Sequence, residues 1–125
     1  MTEKLVLSTL PKTWIFDVDG TIVVHNGHLQ SEGDQLLDGV ADVFKKIPRD
    51  DKIIFLTART KIEVQELKKF LRLNGIRFDL ILSGMPVGER IIVNDRKPSG
   101  LKTAYAVNKD RDKELILDFV IDRSL

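Results

Sequence analysis

Residues 13–24 read T-W-I-F-D-V-D-G-T-I-V-V, and the rest of the chain is organised around this stretch. The aromatic and β-branched residues before Asp17 predict a short buried strand that stops at a turn near Gly20. Residues two apart on a strand point to the same side, so Asp17 and Asp19 are expected to emerge together. Neighbouring carboxylates repel unless a cation or a shared proton separates them, and Mg2+ prefers such oxygen ligands. The pattern favours a magnesium site; a polar turn is the alternative for a bare Asp-x-Asp-Gly.

Composition narrows the class of protein. The chain has 125 residues, with 20 basic and 19 acidic side chains and a net charge of +1. This length predicts a single domain over residues 1–125. The balanced charge gives no electrostatic argument for a nucleic-acid or membrane partner. Cysteine is absent, which excludes disulfides and a cysteine zinc site. With no secretory signal pattern and no apolar run of about 18 residues, we expect a cytoplasmic protein.

Apolar runs alternate with helical patterns along the chain. Residues 38–47 and 61–74 each place apolar side chains on one face at helical spacing, which predicts two helices. Four consecutive apolar residues between them, at 53–56, predict a strand that is buried on both faces. Three more strands are expected, at 78–82, 90–95 and 103–107. Residues 5–7 are expected to form an edge strand or to cover the sheet. We also expect a β flap made by 22–24 with 28–30, and either a helix or a strand within 113–121.

Strands that alternate with helices imply right-handed crossovers and a parallel sheet with helices on both faces. Ligands bind outside the carboxyl ends of the strands in such a sheet. Asp17, Asp19, Thr57 and Asp95 all lie at predicted carboxyl ends. Stability alone does not explain so many polar side chains in one sector of an apolar sheet. We therefore expect them to meet in a ligand site.

Three segments resemble motifs of the haloacid dehalogenase (HAD) superfamily. The first is W-I-F-D-V-D-G-T-I at residues 14–22. Its pattern is three apolar residues, Asp, an apolar residue, Asp-Gly-Thr and another apolar residue. Residues 55–59, F-L-T-A-R, and residues 91–96, I-I-V-N-D-R, are similar to its second and fourth motifs and follow in the right order. The chain looks most like the small HAD phosphatases of capsule and surface-polysaccharide biosynthesis. That resemblance implies a three-layer, Rossmann-like α/β fold with mostly parallel strands, helices on both faces, a small β flap and no cap domain.

The resemblance also implies a function and a set of roles. The activity would be Mg2+-dependent hydrolysis of a phosphate monoester, with a sugar phosphate as one example. Asp17 would be the nucleophile that forms an aspartyl-phosphate, and Asp19 the general acid and base. Mg2+ would be held by Asp17, by the main-chain carbonyl of Asp19 and by Asp95. Thr57 and the N–H of Ala58 would hold the phosphoryl oxygens.

One turn departs from the family pattern. Residues 84–86 read Gly-Met-Pro where the related phosphatases have Gly-Lys-Pro, so Met85 takes the place of a lysine that pairs with nucleophile and phosphate. A methionine supplies no positive charge. Arg90 or Lys97, near the Asp95 segment, is expected to bind the substrate phosphate instead, and Arg59 is a further candidate. The alternative for each is an ordinary solvated surface residue.

Two other interpretations stay open. A HAD-like metal- or phosphate-binding or regulatory module would keep the fold but turn over poorly, and Met85 motivates it. A phospho-accepting receiver domain also uses acids, threonine and lysine on an α/β sheet, but its acceptor lies on a middle strand. Without a cap domain, either large substrates reach the site or a second subunit covers it, so a homo-oligomer is also an expectation to test.

Overall fold

The structure, a computed structural model, describes residues 4–125. Five strands and two α-helices follow one another as β1 (Leu5–Leu7), β2 (Thr13–Asp17), α1 (Val40–Lys46), β3 (Lys52–Leu56), α2 (Lys61–Leu73), β4 (Leu80–Leu82) and β5 (Phe119–Ile121), with a short 3-10 helix (Gly27–Leu29) before α1. The α/β class expected from the sequence is confirmed, with strands in parallel pairs. Among residues 4–125, no helix is long and apolar enough to cross a membrane.

The strands form two separate sheets. The larger has the order β2-β3-β4, and the smaller consists of β1 and β5. In the larger sheet Phe16 lies opposite Phe55, and Asp17 lies opposite Leu56. Because the carboxyl ends of parallel strands meet at the same edge, Asp17 and the residue that follows β3, Thr57, reach that edge together. Of the four residues expected to meet, these two lie at the same edge of the sheet.

The core lies on one face of the larger sheet. Phe55 is fully buried there, with its ring centroid 6.0 Å from that of Phe16 and 5.9 Å from that of Phe44 on α1. Both α-helices contribute buried side chains to the same apolar cluster, at the spacing of a single helical face. These are Val40, Val43 and Phe44 of α1, and Leu67 and Leu71 of α2.

The opposite face of the sheet stays partly open. Ile15, Leu80 and Leu82 point to this side and are exposed. The expectation of helices on both faces is not confirmed for residues 4–125. The physical reason is the strand order: β2-β3-β4 steps twice in the same direction, so two right-handed crossovers place both helices on the same side.

A single tryptophan connects the two sheets. The indole N–H of Trp14, on β2, donates a hydrogen bond of 2.9 Å to Oδ2 of the buried Asp51. The ring centroid of Trp14 lies 5.0 Å from that of Phe119, on β5. Residues 5–7, expected as an edge strand or as cover for the sheet, form a strand, which pairs with β5 and does not join the larger sheet. Residues 113–121, left open between helix and strand, end as a strand.

Two expected strands are absent from the described chain. Residues 90–95 and 103–107 form no regular structure, and Ile91 and Val93 are exposed. The expectation of strands there was wrong because β-branched composition favours a strand only where a neighbour supplies hydrogen bonds and packing. The flap also differs. Val23 forms an isolated bridge with Leu36, whereas residues 28–30 belong to the 3-10 helix and to the turn after it.

We expect Phe55→Ala to lower the free energy of unfolding by about 3–5 kcal/mol, because it empties the centre of the aromatic cluster. Urea denaturation followed by circular dichroism measures this change. Ile62→Ala is the matched control: Ile62 is exposed on α2, so its truncation should stay within about 0.5 kcal/mol. Equal effects of the two substitutions would contradict the placement of the core on this face.

Candidate functional site

The chain reverses direction immediately after β2 and so fixes the acidic pair. The N–H of Ile22 donates to the carbonyl of Val18 at 2.9 Å, which closes the turn. Gly20 has a φ of 83°, in the left-handed region that favours glycine. Val18 is buried between Asp17 and Asp19, which are both partly exposed. The two carboxylates therefore flank an apolar anchor at the carboxyl edge of the sheet.

Asp17 is accessible and lies beside a cation. Its side chain is 41% exposed, and its Oδ1 atom is 3.6 Å from Nη1 of Arg90. The hydroxyl of Thr21 donates to Oδ2 of Asp17 at 3.2 Å. Of Arg59, Arg90 and Lys97, Arg90 is thus the one within ion-pair distance of Asp17.

Thr57 and Met85 meet at the end of β3. The hydroxyl oxygen of the buried Thr57 accepts a hydrogen bond from the N–H of Arg59 at 3.1 Å. The N–H of Met85 donates to the carbonyl of Thr57 at 2.9 Å. Ala58, between these contacts, is exposed. Met85 therefore lies beside the threonine at the carboxyl edge, and it brings no charge there.

Asp19 belongs to a compact charged cluster that also contains Arg59 and Asp34. The Nε and Nη2 atoms of Arg59 donate to Asp19 at 3.2 and 2.9 Å. Its Nη1 and Nη2 atoms donate to Asp34 at 2.9 and 2.7 Å. Burial opposes the charge of Arg59, but the hydrogen bonds with Asp34 and Asp19 outweigh it and raise the pKa of Arg59. Arg59 is therefore committed to these carboxylates and is not the cation beside Asp17.

His28 lies between two acidic side chains next to this cluster. Its Nε2 atom is 2.8 Å from Oε2 of Glu63, and its Nδ1 atom is 3.8 Å from Oδ1 of Asp19. The sequence predicts residues 28–30, and so His28, as part of a β flap. Its side chain is instead mostly buried and links the 3-10 helix to the first turn of α2.

Asp95 does not form a group of metal ligands with Asp17 and Asp19 in this structure. It lies in the exposed segment after Arg90, where its carbonyl accepts a hydrogen bond from the hydroxyl of Thr103. Within residues 4–125, no three His, Asp or Glu side chains are grouped as metal ligands. Asp17 and Asp19 offer oxygen atoms of the kind that Mg2+ prefers. The third expected ligand, Asp95, does not stand with them.

A cleft of about 750 Å3 opens beside β2. Asp17, Thr21, Asn94 and Lys97 are among the residues that line it. In the described part of the chain β2 pairs only with β3, so the cleft runs along its free edge. Lys97 thus shares an open cavity with the carboxylate of Asp17.

Sequence reasoning missed Asp34 and the segment at residues 109–112. The N–H of His25 donates to Oδ1 of Asp112 at 2.7 Å, and Nζ of Lys109 donates to the carbonyl of Gly20 at 3.1 Å. No local sequence pattern predicts these contacts, because they join distant parts of the chain. Arg59 could have indicated an acidic partner such as Asp34, because an arginine in a buried segment is almost never left unpaired.

The ionisation of Glu63 makes the stability of the fold next to the site depend on pH. The backbone N–H of Thr60 first, then the Thr60 hydroxyl and His28, lower the pKa of Glu63 below its ordinary value of 4.5. A group with a lowered folded pKa stabilises the fold above its unfolded pKa and loses that effect as the pH falls through the folded one. We expect Glu63→Gln to be less stable than wild type at pH 7.

The same difference should shrink below pH 4.5 and vanish once Glu63 is protonated in the folded state, because the acid then resembles the amide. Urea titrations at several pH values measure it. Glu66→Gln, on the exposed face of α2, is the control and should change little at any pH. A wild-type advantage that persists in acid would contradict the electrostatic origin.

Comparison with models of known protein families, with curated proteins and with solved structures finds no match for this chain. The chemistry of the site therefore has to be inferred from its own side chains.

Proposed function

We propose that this chain is a Mg2+-dependent phosphohydrolase that acts on a phosphate monoester through an aspartyl-phosphate at Asp17. The observation that carries the proposal is the position of Asp17: a solvent-accessible carboxylate at the carboxyl edge of a parallel sheet, 3.6 Å from Arg90. A cation at that distance counters the repulsion between the carboxylate and a dianionic phosphate. The resemblance of the Asp-x-Asp segment to the first HAD motif points to the same chemistry.

The proposed reaction has two displacements at phosphorus. A carboxylate oxygen of Asp17 attacks phosphorus, and the bond from phosphorus to the ester oxygen breaks. Asp19 gives a proton to the departing alcohol. It then takes a proton from the water that attacks the aspartyl-phosphate, which releases phosphate and restores Asp17. The turn through Val18 holds both carboxylates at one edge of the sheet, so that the nucleophile and the acid–base group can act on the same phosphate.

Mg2+, when bound, would neutralise charge on the phosphoryl oxygens. Asp17 and the main-chain carbonyl of Asp19 are the groups proposed to hold it. Asp95 is proposed as a further ligand on the resemblance alone, since no three His, Asp or Glu side chains within residues 4–125 are grouped as metal ligands.

The substrate-binding groups proposed are Arg90, Lys97, Thr57 and the N–H of Ala58. Arg90 contacts Asp17, and Lys97 lines the same cleft. Ligand pockets of about 300–1,000 Å3 are typical for small molecules, so a cleft of about 750 Å3 suits a small ester such as a sugar phosphate.

The proposal includes the finer architecture of a three-layer HAD-like fold without a cap domain. The exposed apolar side chains of Ile15, Leu80 and Leu82 support a further layer, because such a patch is usually covered. A cytoplasmic location and a homo-oligomer in which a second subunit covers the site are part of the same proposal.

A second candidate is a HAD-like metal- or phosphate-binding or regulatory module that turns over poorly. One observation favours it: Met85 brings no charge to the strand edge where the related phosphatases carry a lysine. Phosphate binding without turnover would identify this module.

We expect the wild-type protein to hydrolyse members of a panel of sugar phosphates and nucleotides when Mg2+ is present. Asp17→Asn should abolish that release of phosphate, because an amide does not form the covalent intermediate. Asp42→Asn, at an exposed acid on α1, is the matched control and should keep full activity. Turnover that survives Asp17→Asn would exclude the aspartyl-phosphate route.

Arg90→Met should lower kcat/KM by about tenfold. A hydrogen bond or ion pair with a charged group contributes about 1.5–3 kcal/mol, and the partial exposure of Arg90 and Asp17 reduces it. Initial rates at two ionic strengths measure the effect, which salt should weaken in the wild type. Arg96→Met, on the same exposed segment, is the control. Equal losses in the two variants would show that Arg90 acts only through general surface charge.

A further inference from the structure

We propose that Arg59, anchored by Asp34, is the positioning residue for the acid–base carboxylate of Asp19. The inference rests on the proposed phosphohydrolase activity and adds to it the device that orients the proton-carrying group. Its basis is the geometry of the three-residue charged cluster.

Arg59 is held by hydrogen bonds at its guanidinium and at its main chain. Its planar fork meets Asp19 through two N–H donors and Asp34 through two, a two-point geometry that fixes the plane of each carboxylate. The main chain of Arg59 is fixed as well. Its N–H donates to the hydroxyl of Thr57 at 3.1 Å, and its carbonyl accepts from the N–H of Gly84 at 2.8 Å.

The exposure of the three side chains is graded. Asp34 and Arg59 are 6% and 2% exposed, whereas Asp19 is 19% exposed. The two buried members therefore form the fixed part, and Asp19 is the member presented at the open edge. One carboxylate would be enough to balance Arg59. A second, more accessible carboxylate leaves a surplus negative charge, which a purely structural pair does not need.

Orientation matters for a proton carrier more than for most groups. A general acid has to come within about 2.6–3.2 Å of the oxygen that it protonates. Its contribution also depends on the leaving group. An alkoxide is a strong base and departs only with a proton, whereas nitrophenolate departs readily without one. Loss of the Arg59 clamp should therefore slow departure of the alcohol from an alkyl phosphate far more than departure of nitrophenolate from p-nitrophenyl phosphate.

The test measures kcat and KM for glycerol phosphate and for p-nitrophenyl phosphate, with Mg2+, in wild type, Arg59→Lys and Asp34→Asn. Lysine keeps the charge of Arg59 but not its two-point fork. In both variants kcat/KM for glycerol phosphate should fall roughly 100-fold, the lower end of what general acid–base catalysis contributes. The kcat/KM for p-nitrophenyl phosphate should change by less than about threefold, because kcat/KM depends only on the steps up to departure of the alcohol and not on the later attack of water, in which Asp19 is the proposed base for both esters. A general loss of structure would lower both values alike. Asp19→Asn supplies the reference for complete loss of the acid.

Asp51→Asn is the structural control. Asp51 is a buried carboxylate that accepts hydrogen bonds from Trp14 and from the N–H of Lys12 near the start of β2. Its loss weakens the fold and should leave the ratio of the two kcat/KM values unchanged. Thermal unfolding of each variant gives the folded fraction. If Arg59→Lys does not fold, Asp34→Asn, which removes one charge and keeps the side-chain shape, decides the question alone.

Three results would overturn an assumption, and they are distinguishable. Equal losses on the two esters in Arg59→Lys and Asp34→Asn, with Asp19→Asn selective for the alkyl ester, would overturn the positioning role and leave the phosphohydrolase intact. Full alkyl-ester activity in both variants would overturn it as well. Absence of hydrolysis of either ester by the wild type would overturn the proposed function and, with it, this role.

Discussion

The parallel pairing of β2 with β3 is the constraint on which the rest of the structure depends. Its register places Phe16 against Phe55 on the core face and Asp17 opposite Leu56 at the carboxyl edge. A slip of one residue would turn every side chain of a strand to the other face, so burial of the aromatic rings fixes the register. The same burial thereby fixes where Asp17 emerges. Core energetics and site geometry share a single cause here.

The elements predicted well are those encoded by neighbouring residues. The helix expected at 61–74 is observed as Lys61–Leu73, because Thr60 and Glu63 form a capping box and the apolar residues recur at helical spacing. The helix expected at 38–47 is observed as Val40–Lys46, with Gly39 at its N-cap. Only the ends of these helices differ from the prediction, as is usual for helix boundaries.

The elements predicted poorly depend on partners that sequence patterns do not specify. Residues 90–95 have the composition of a strand but form no regular structure, and Asp95 does not form a group of metal ligands with Asp17 and Asp19. Of the site, the convergence of Asp17 with Thr57 followed from parallel topology alone. The contact of Arg59 with Asp34 spans 25 positions between irregular segments, so no periodicity reveals it. It arises from the physical need of a buried guanidinium for counter-charge.

The position of Trp14 has a practical consequence. It is the only tryptophan in the chain, and its ring contacts Phe119, which comes from the opposite end of the sequence. Its indole N–H is bonded to Asp51, just before β3. Separation of the C-terminal strand from the larger sheet would change the surroundings of this one fluorophore. Its emission is therefore an intrinsic optical probe of whether the two sheets are docked, with no label attached.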